Sequence, residues 1–408
     1  MIGLVNQNSL ESEFNSLIAS ESVSWMNDLR SKAYSHWTKL KLPNQSHESF
    51  RKISLSGFFP ESFFQKEDKQ VISTRILQNQ SGIKWKQLED LDSVETEFVK
   101  SNLERLISSY SQDYFPMLSI AFHNSFSYID IPDNFTSDEL VKLEISFREY
   151  TKLVIPLVFL RVGKFSKVHI LEKITAPHSD EDHLFLGFNF IQEEEGASSD
   201  LSLIEEFTDS TYHFRMIHQE LQKDTNSKFG YFNLGGFKGK TFINTHLKGT
   251  GSTLYSFGVG SSKNREKQDI EYSIFHEGNQ TQSQLEFRAV LKDKSHHVFT
   301  GNLKIPKSVK NASASQVNNN LLIHKTARAE SMPKLDVLAL DVQCSHGATV
   351  GEVTEDELFY LKSRGLPEPV ARQLIIEGFI TELVDKTHEA VSQELRSRIL
   401  QRLGGANV

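Results

Sequence analysis

Asp341 to Glu352 reads DVQCSHGATVGE and holds the only cysteine of 408 residues, Cys344, two positions before His346. A thiol and an imidazole at this spacing admit three readings. In an extended strand, residues two apart face the same side, roughly 6.6–6.8 Å along the chain, so both could reach one metal ion. Sulfur and nitrogen donors suit iron or zinc, but two donors do not complete a tetrahedral site. A metal reading therefore demands donors from another chain or from distant parts of this one. The second reading is a Cys–His nucleophile and base, which needs an orienting third group and an oxyanion hole, and the sequence marks neither. The third is a small buried cysteine beside a hydrogen-bonded histidine. Spacing leaves all three open.

Other candidate chemistry is weaker. GGFKGKT, Gly235 to Thr241, has the look of a phosphate loop, but the motif needs four residues between its first glycine and Gly239-Lys240, and that first position is Leu234. The segment also runs into an alternating stretch, Phe242 to Leu247, where a phosphate loop would open a helix, so the glycines read as turns between strands. His213 and His218 are five apart, and His276-Glu277 lacks the second histidine of a zinc protease motif. His296-His297 face opposite sides of any strand that contains them. Glu193-Glu194-Glu195-Gly196 reads as a solvated loop, as does Ser179-Asp180-Glu181-Asp182. A carbohydrate-cleaving protein would need paired carboxylates in a groove, and no such pair is marked.

The elements that must position these residues change along the chain. Phe14, Leu17, Ile18, Trp25, Met26 and Leu29 recur at three- and four-residue steps, a helical face that runs toward Leu42-Pro43; Leu103, Leu106 and Ile107 do the same between Phe98 and Tyr110. From about Tyr128 the period becomes two. Ile270, Tyr272 and Ile274 alternate with polar residues, as do Leu285, Phe287, Ala289 and Leu291, and Phe299, Gly301, Leu303 and Ile305. These are short strands, closely spaced and scarcely interrupted by helix, which excludes a doubly wound α/β sheet. A sandwich, a barrel and a parallel β-helix with coils of ~20–30 residues all fit, and no strict repeat is visible. After Gly351 the helical period returns. Thr354 and Glu357 form a capping box, Gly365 is placed to stop the helix, and two further helices carry Val370, Leu374, Ile375 and Phe379, then Val391, Leu395, Ile399 and Leu403 before Gly404-Gly405.

Composition sets the outer bounds. A net charge of −8 and a pI near 6.0 argue against a nucleic-acid backbone binder. One cysteine excludes an intramolecular disulfide and a Cys₄ site built by one chain. The longest strongly apolar run, Leu153 to Leu160, is far short of the roughly 20 residues of a membrane helix, and the start of the chain does not read as a signal peptide, so a cytoplasmic protein is expected.

One segment resembles a known family. CSHGATVGEVTEDELFYLKSRGL, Cys344 to Leu366, is similar to the C-terminal signature of the SufB/SufD family of iron–sulfur cluster assembly scaffolds. The similarity extends upstream through Asn319-Asn320-Leu321-Leu322, Ala327 to Ser331 and Pro333 to Asp336, and downstream from Ala371 to Phe379. LKLPNQSHESFRKISLSGF falls where the family carries a Leu-Pro and then a Trp-Arg/Lys-Tyr-Thr element, replaced here by Phe50-Arg51-Lys52-Ile53-Ser54. The usual Asp-Asp-Val before the signature is Leu340-Asp341-Val342. Ser345-His346-Gly347 stands where SufB-like members carry Glu-His-Glu, and the assembly cysteines those members bring elsewhere are missing, so the SufD-like branch is the better match.

The resemblance implies a mainly β fold: a right-handed parallel β-helix core, 128–350, flanked by an N-terminal helical region, 1–127, and a C-terminal helical region, 351–408. It implies a non-enzymatic scaffold that pairs with SufB and docks the SufC ATPase, with a homodimer favoured when SufB is absent. A transient iron–sulfur cluster would be shared with SufB, His346 contributing first and Cys344 as a second donor, and none would be held by the isolated chain. Leu358, Phe359, Tyr360, Arg364 and Phe379 would form the SufC-docking surface. The alternatives carried alongside are a β-helix carbohydrate-active enzyme and a purely structural subunit in which Cys344 and His346 only pack.

Overall fold

The computed structural model describes residues 7–64, 72–77, 82–147, 151–176 and 181–403. Its centre is a parallel β-helix of eight coils, each made of one strand in each of two facing sheets. The first coil joins Ser125–Ile131 to Thr136–Phe147, and the last joins Arg328–Val337 to Val342–Glu352. Neighbouring coils stay in parallel register, with a step of 26 residues from Tyr212 to Lys238 and 32 from His296 to Arg328. That uneven step is why no repeat shows in the sequence. The alternating sets Ile270/Tyr272/Ile274, Leu285/Phe287/Ala289/Leu291 and Phe299/Leu303/Ile305 all face the interior, which is one continuous apolar core along the solenoid axis.

A ladder of turns holds the register at one corner. Asn134, Phe165, Gly196, Asp224, Gly251, Gln280 and Asn311 all adopt left-handed φ, between +54° and +77°. Each donates its N–H to a carbonyl one coil further on, at 2.7–3.0 Å, and that carbonyl belongs to the residue just before the next position of the corner. Only two of the seven are glycine. Asn, Asp and the backbone bond offset the strain that an L-residue meets there.

Two helical layers cover the outer faces of the sheets. In the first, α1 (Gln7–Ser20) and α2 (Ser24–Trp37) divide what the sequence reads as one run, because Glu21 to Val23 break it. With α3 (Ser93–Ser109) and α4 (Tyr114–Phe122) they pack an aromatic cluster on one sheet, in which Phe115 stacks on Phe214 at 3.8 Å. From Phe115 to Phe122 every residue of α4 is buried, as an all-round apolar helix requires. The buried Arg30 of α2 donates to the carbonyls of Ala121 and His123 and so caps the end of α4. In the second layer, α6 (Glu368–Val384) and α7 (Glu389–Arg402) bury Ile376, Ile380, Leu383, Val391, Leu395 and Ile399 against Phe232, Leu234, Phe257, Val259 and Val290 of the other sheet. α5 (Glu355–Ser363) stands between the last coil and this layer. The Gly404-Gly405 stop lies outside the described residues.

The two ends of the solenoid differ. Two strands absent from the sequence expectation, Ile72–Leu77 and Lys84–Lys86, pair antiparallel with the first coil, one on each sheet. At the other end Arg328–Val337 and Val342–Glu352 are the outermost strands of their sheets. The N-terminal end finishes in reversed strands; at the C-terminal end no strand follows the last coil among the described residues.

Candidate functional site

Cys344 and His346 lie in the outermost strand of the open end. Ala314 and Gln316 are their register partners in the preceding coil, and Ala314, Gln316, Asn318 and Asn320 are the buried, interior side of that strand. Period two therefore puts Cys344 and His346 together on the face that looks into the solenoid, at its mouth. Their burial differs. Cys344 is half-buried and packs against the interior core, whereas His346 is exposed. Burial pushes the Cys344 thiol up, opposed by a hydrogen bond with the Ala314 backbone. Coordination by that sulfur would have to displace its proton. Among the described residues no group of three or more His, Cys, Asp or Glu side chains could hold a metal ion.

The rim of this mouth is apolar and uncovered. Leu335, Leu338, Val350 and Leu340 are exposed, Leu340 by 97%, within two strands and the turn joining them. The two outermost strands also present unpaired backbone edges, the usual template for another chain.

The proposed docking residues divide into two sets. Phe359 (72% exposed), Tyr360 and Arg364 face outward, with the Arg364 guanidinium 5.4 Å from the centre of the Tyr360 ring. Leu358 is 2% exposed and is the buried residue of α5. Phe379 packs on the sheet below α6, where Arg288 donates to its carbonyl and covers its ring. Of the five, Leu358 is thus buried and Phe379 half-buried, while Phe359, Tyr360 and Arg364 are exposed. The capping box at Thr354 and Glu357 and the left-handed Gly365, φ +90°, start and stop α5 as the sequence indicates.

Other singled-out residues are accounted for by packing. Lys240 of GGFKGKT is buried in a strand, paired with Asp269 at 2.9 Å and Glu271 at 3.2 Å and flanked by the Phe50 and Phe242 rings. No phosphate-cradling turn leads into a helix there. Glu193 corrects the solvated-loop reading of its run: it ends an interior-facing strand, is fully buried, and accepts from Ser199, Ser227 and Gln219 at 2.8 Å each. Burial raises its carboxyl above the usual range. Of the acidic run at 179–182, the first two residues lie outside the described ones. His296 and His297 do face opposite ways, His296 to Glu330 and His297 into the interior.

Comparison with known proteins fits this geometry. The family profile described as SUF system FeS cluster assembly, SufBD core domain, matches residues 147–379, from the end of the first coil through most of α6. The chain belongs to the SufB/SufD family. The SufBD core match contains the Cys344–His346 mouth and α5. Iron-sulfur cluster assembly protein SufD of Escherichia coli is 33% identical over 196 residues, 48% of this chain and 46% of that protein. SufD of Plasmodium falciparum is 25% identical over 261 residues, 63% of this chain and 17% of that protein. A SufBD family protein of Synechocystis is 37% identical over 99 residues, 24% of this chain and 22% of the relative. The match thus spans under half the length of each of these relatives. Sequence reasoning assigned this family from the signature but missed the polar interior beneath it, Gln316, Asn318 and Asn320; in Gln316-Val317-Asn318-Asn319-Asn320 no alternation marks the buried side, and the one apolar residue, Val317, is exposed.

Proposed function

We propose that this chain is a non-catalytic, cytoplasmic scaffold subunit of SUF iron–sulfur cluster assembly. It pairs through the open end of its β-helix with a SufB-type partner and presents α5 to the SufC ATPase. The nascent cluster is cargo, held between the two scaffolds, with His346 as this chain's first donor and Cys344 as the second. ATP hydrolysis belongs to the partner, and its motion enters this chain through the C-terminal helices.

One observation carries the reading: the only Cys-x-His pair sits at the apolar-rimmed end of a solenoid whose other end carries reversed strands. Two donors are too few for a site of their own, and they stand where another chain can add the rest. His346, exposed at the mouth, is presented; Cys344 is partly held by the core. Coexpression with cognate SufB and SufC tests this. A stable ternary complex that assembles a cluster anaerobically is expected, and H346A in that complex should retain SufC yet form little cluster. No complex at all would overturn the assignment.

A further inference from the structure

The interior of the last coils holds side chains whose hydrogen-bonding groups have no partner among the described residues. They include both carboxamide atoms of Gln316, both ring nitrogens of His297, Asn320 Oδ1 and Ser331 Oγ. Leaving a buried polar group unmatched is costly, so such groups normally find a partner in the working molecule.

Gln316 differs from the others by its place. It is 3% exposed, lies on the interior face, and is the register partner of His346. Its strand neighbours are engaged: Asn318 donates to the Phe287 carbonyl, and Asn320 donates to Asn318 Oδ1 and the Thr349 carbonyl. Room for the Gln316 carboxamide is made by Gly301, where a Cβ would come within 2.1 Å of Gln316 Oε1. In parallel strands about 4.8 Å apart, one column of side chains stacks directly on the next. The His346 ring, exposed at the rim, is the adjacent member of that column.

We infer that Gln316 is a positioning residue for His346. With the ring turned in over the mouth, Gln316 Oε1 accepts the N–H of one ring nitrogen and fixes the tautomer. The lone pair of the other nitrogen is then aimed out of the solenoid, toward the partner. A metal-binding histidine is held in this way by a hydrogen bond at its second nitrogen, which also raises its basicity as a donor. Gln316 does not itself touch the cluster. This inference rests on the donor role proposed for His346.

The test separates the two. Nitrogen-15 spectra of the labelled full-length chain, at a fixed pH where imidazole is neutral and with His346 assigned through H346Q, report its tautomer directly. The wild type should show one dominant tautomer. Q316L should return His346 to the mixture of a free imidazole, and Q316E, which keeps an acceptor at the same point, should restore the single form. If Q316L does not fold, G301A, which displaces the carboxamide without removing it, should give the same loss. Equal tautomer ratios in wild type and the folded variant overturn the inference. In the coexpressed complex, Q316L should lower iron retention by about 10–100-fold. Unchanged cluster yield in H346A sinks the donor role even if the tautomer result stands, whereas loss in H346A with an unmoved tautomer in Q316L sinks only the role of Gln316.

Discussion

Arg215 Nη1 and Glu205 Oε1 meet at 2.9 Å in the interior of the solenoid, with neither side chain exposed. The same guanidinium reaches Glu172 and Asn189, and Tyr231 Oη donates to Glu205 at 2.6 Å. Burial raises the Glu172 carboxyl even with Arg215 beside it. Removing the cation alone leaves two buried carboxylates with no cation beside them. R215M should cost about 3–5 kcal/mol in denaturant unfolding, and most of it should return in R215M/E172Q/E205Q. An equally unstable triple variant would show that the network contributes more than charge balance.

Acid should destabilise the fold at pH values above the usual carboxylate range. Burial holds His213, His218 and His276 down to about 4 and His297 to about 3, against 6.5 in a free chain. A base with a depressed folded pKa contributes stability that is fully present above 6.5 and is lost as pH falls toward the folded value. Glu266, raised to about 7, and Asp269, raised to about 6, act in the opposite sense and soften the loss over part of this window. The melting temperature should therefore fall from pH 7 to pH 4.5. H297F, which puts an apolar ring where the histidine has no hydrogen-bond partner among the described residues, should narrow that fall. An unchanged pH slope in H297F would count against the account.

Within α5, neighbouring positions should behave oppositely. L358A removes the buried anchor of the helix and should cost 2–5 kcal/mol locally, read as faster amide exchange in α5. F359A with Y360A should leave stability within about 0.5 kcal/mol, because both rings are exposed. On the proposed reading, the double variant loses the ATPase partner in a pull-down while keeping the scaffold pairing. Retention of the ATPase would place its docking surface elsewhere.

Charge at the open rim should block pairing without unfolding the chain. Leu340 is almost wholly exposed, so L340D should leave the melting curve unmoved. Sedimentation should show wild type associating, alone or with its scaffold partner, and L340D as a single chain. Equal association in both would mean that pairing does not use this end.

The corner ladder can be checked at Gly196, φ +69°, where a Cβ would come within 2.4 Å of the Phe165 ring. G196A should destabilise by about 1–2 kcal/mol from the left-handed backbone alone, more if the ring does not move.

How far the sequence could be read follows from which forces act locally. Thr354 and Glu357 announced α5 because a capping box is a local device, complete within four residues. The interior faces of several coils were legible because alternation reports one buried side. The coil repeat was hidden, since its corner accepts Asn, Phe, Asp or Gln as well as Gly when a backbone bond holds the turn. Buried polar contacts such as Arg215 with Glu172, 43 residues apart, exist only once the coils stack. Glu193 misled for the same reason: its run looks solvated in one dimension. Cys344 and His346 were visible as a pair, yet their place at the mouth depends on the solenoid ending there.

The reversed strands at the first coil have a consequence for assembly. A solenoid open at both ends could add copies head to tail without limit, as a heterologous contact that never closes. Here the first coil carries reversed strands and the last does not, so the two ends are unlike. A contact that joins two last coils is a closed pair rather than a growing stack. Any pair formed this way brings the two mouths, and whatever lies within them, into one enclosed space.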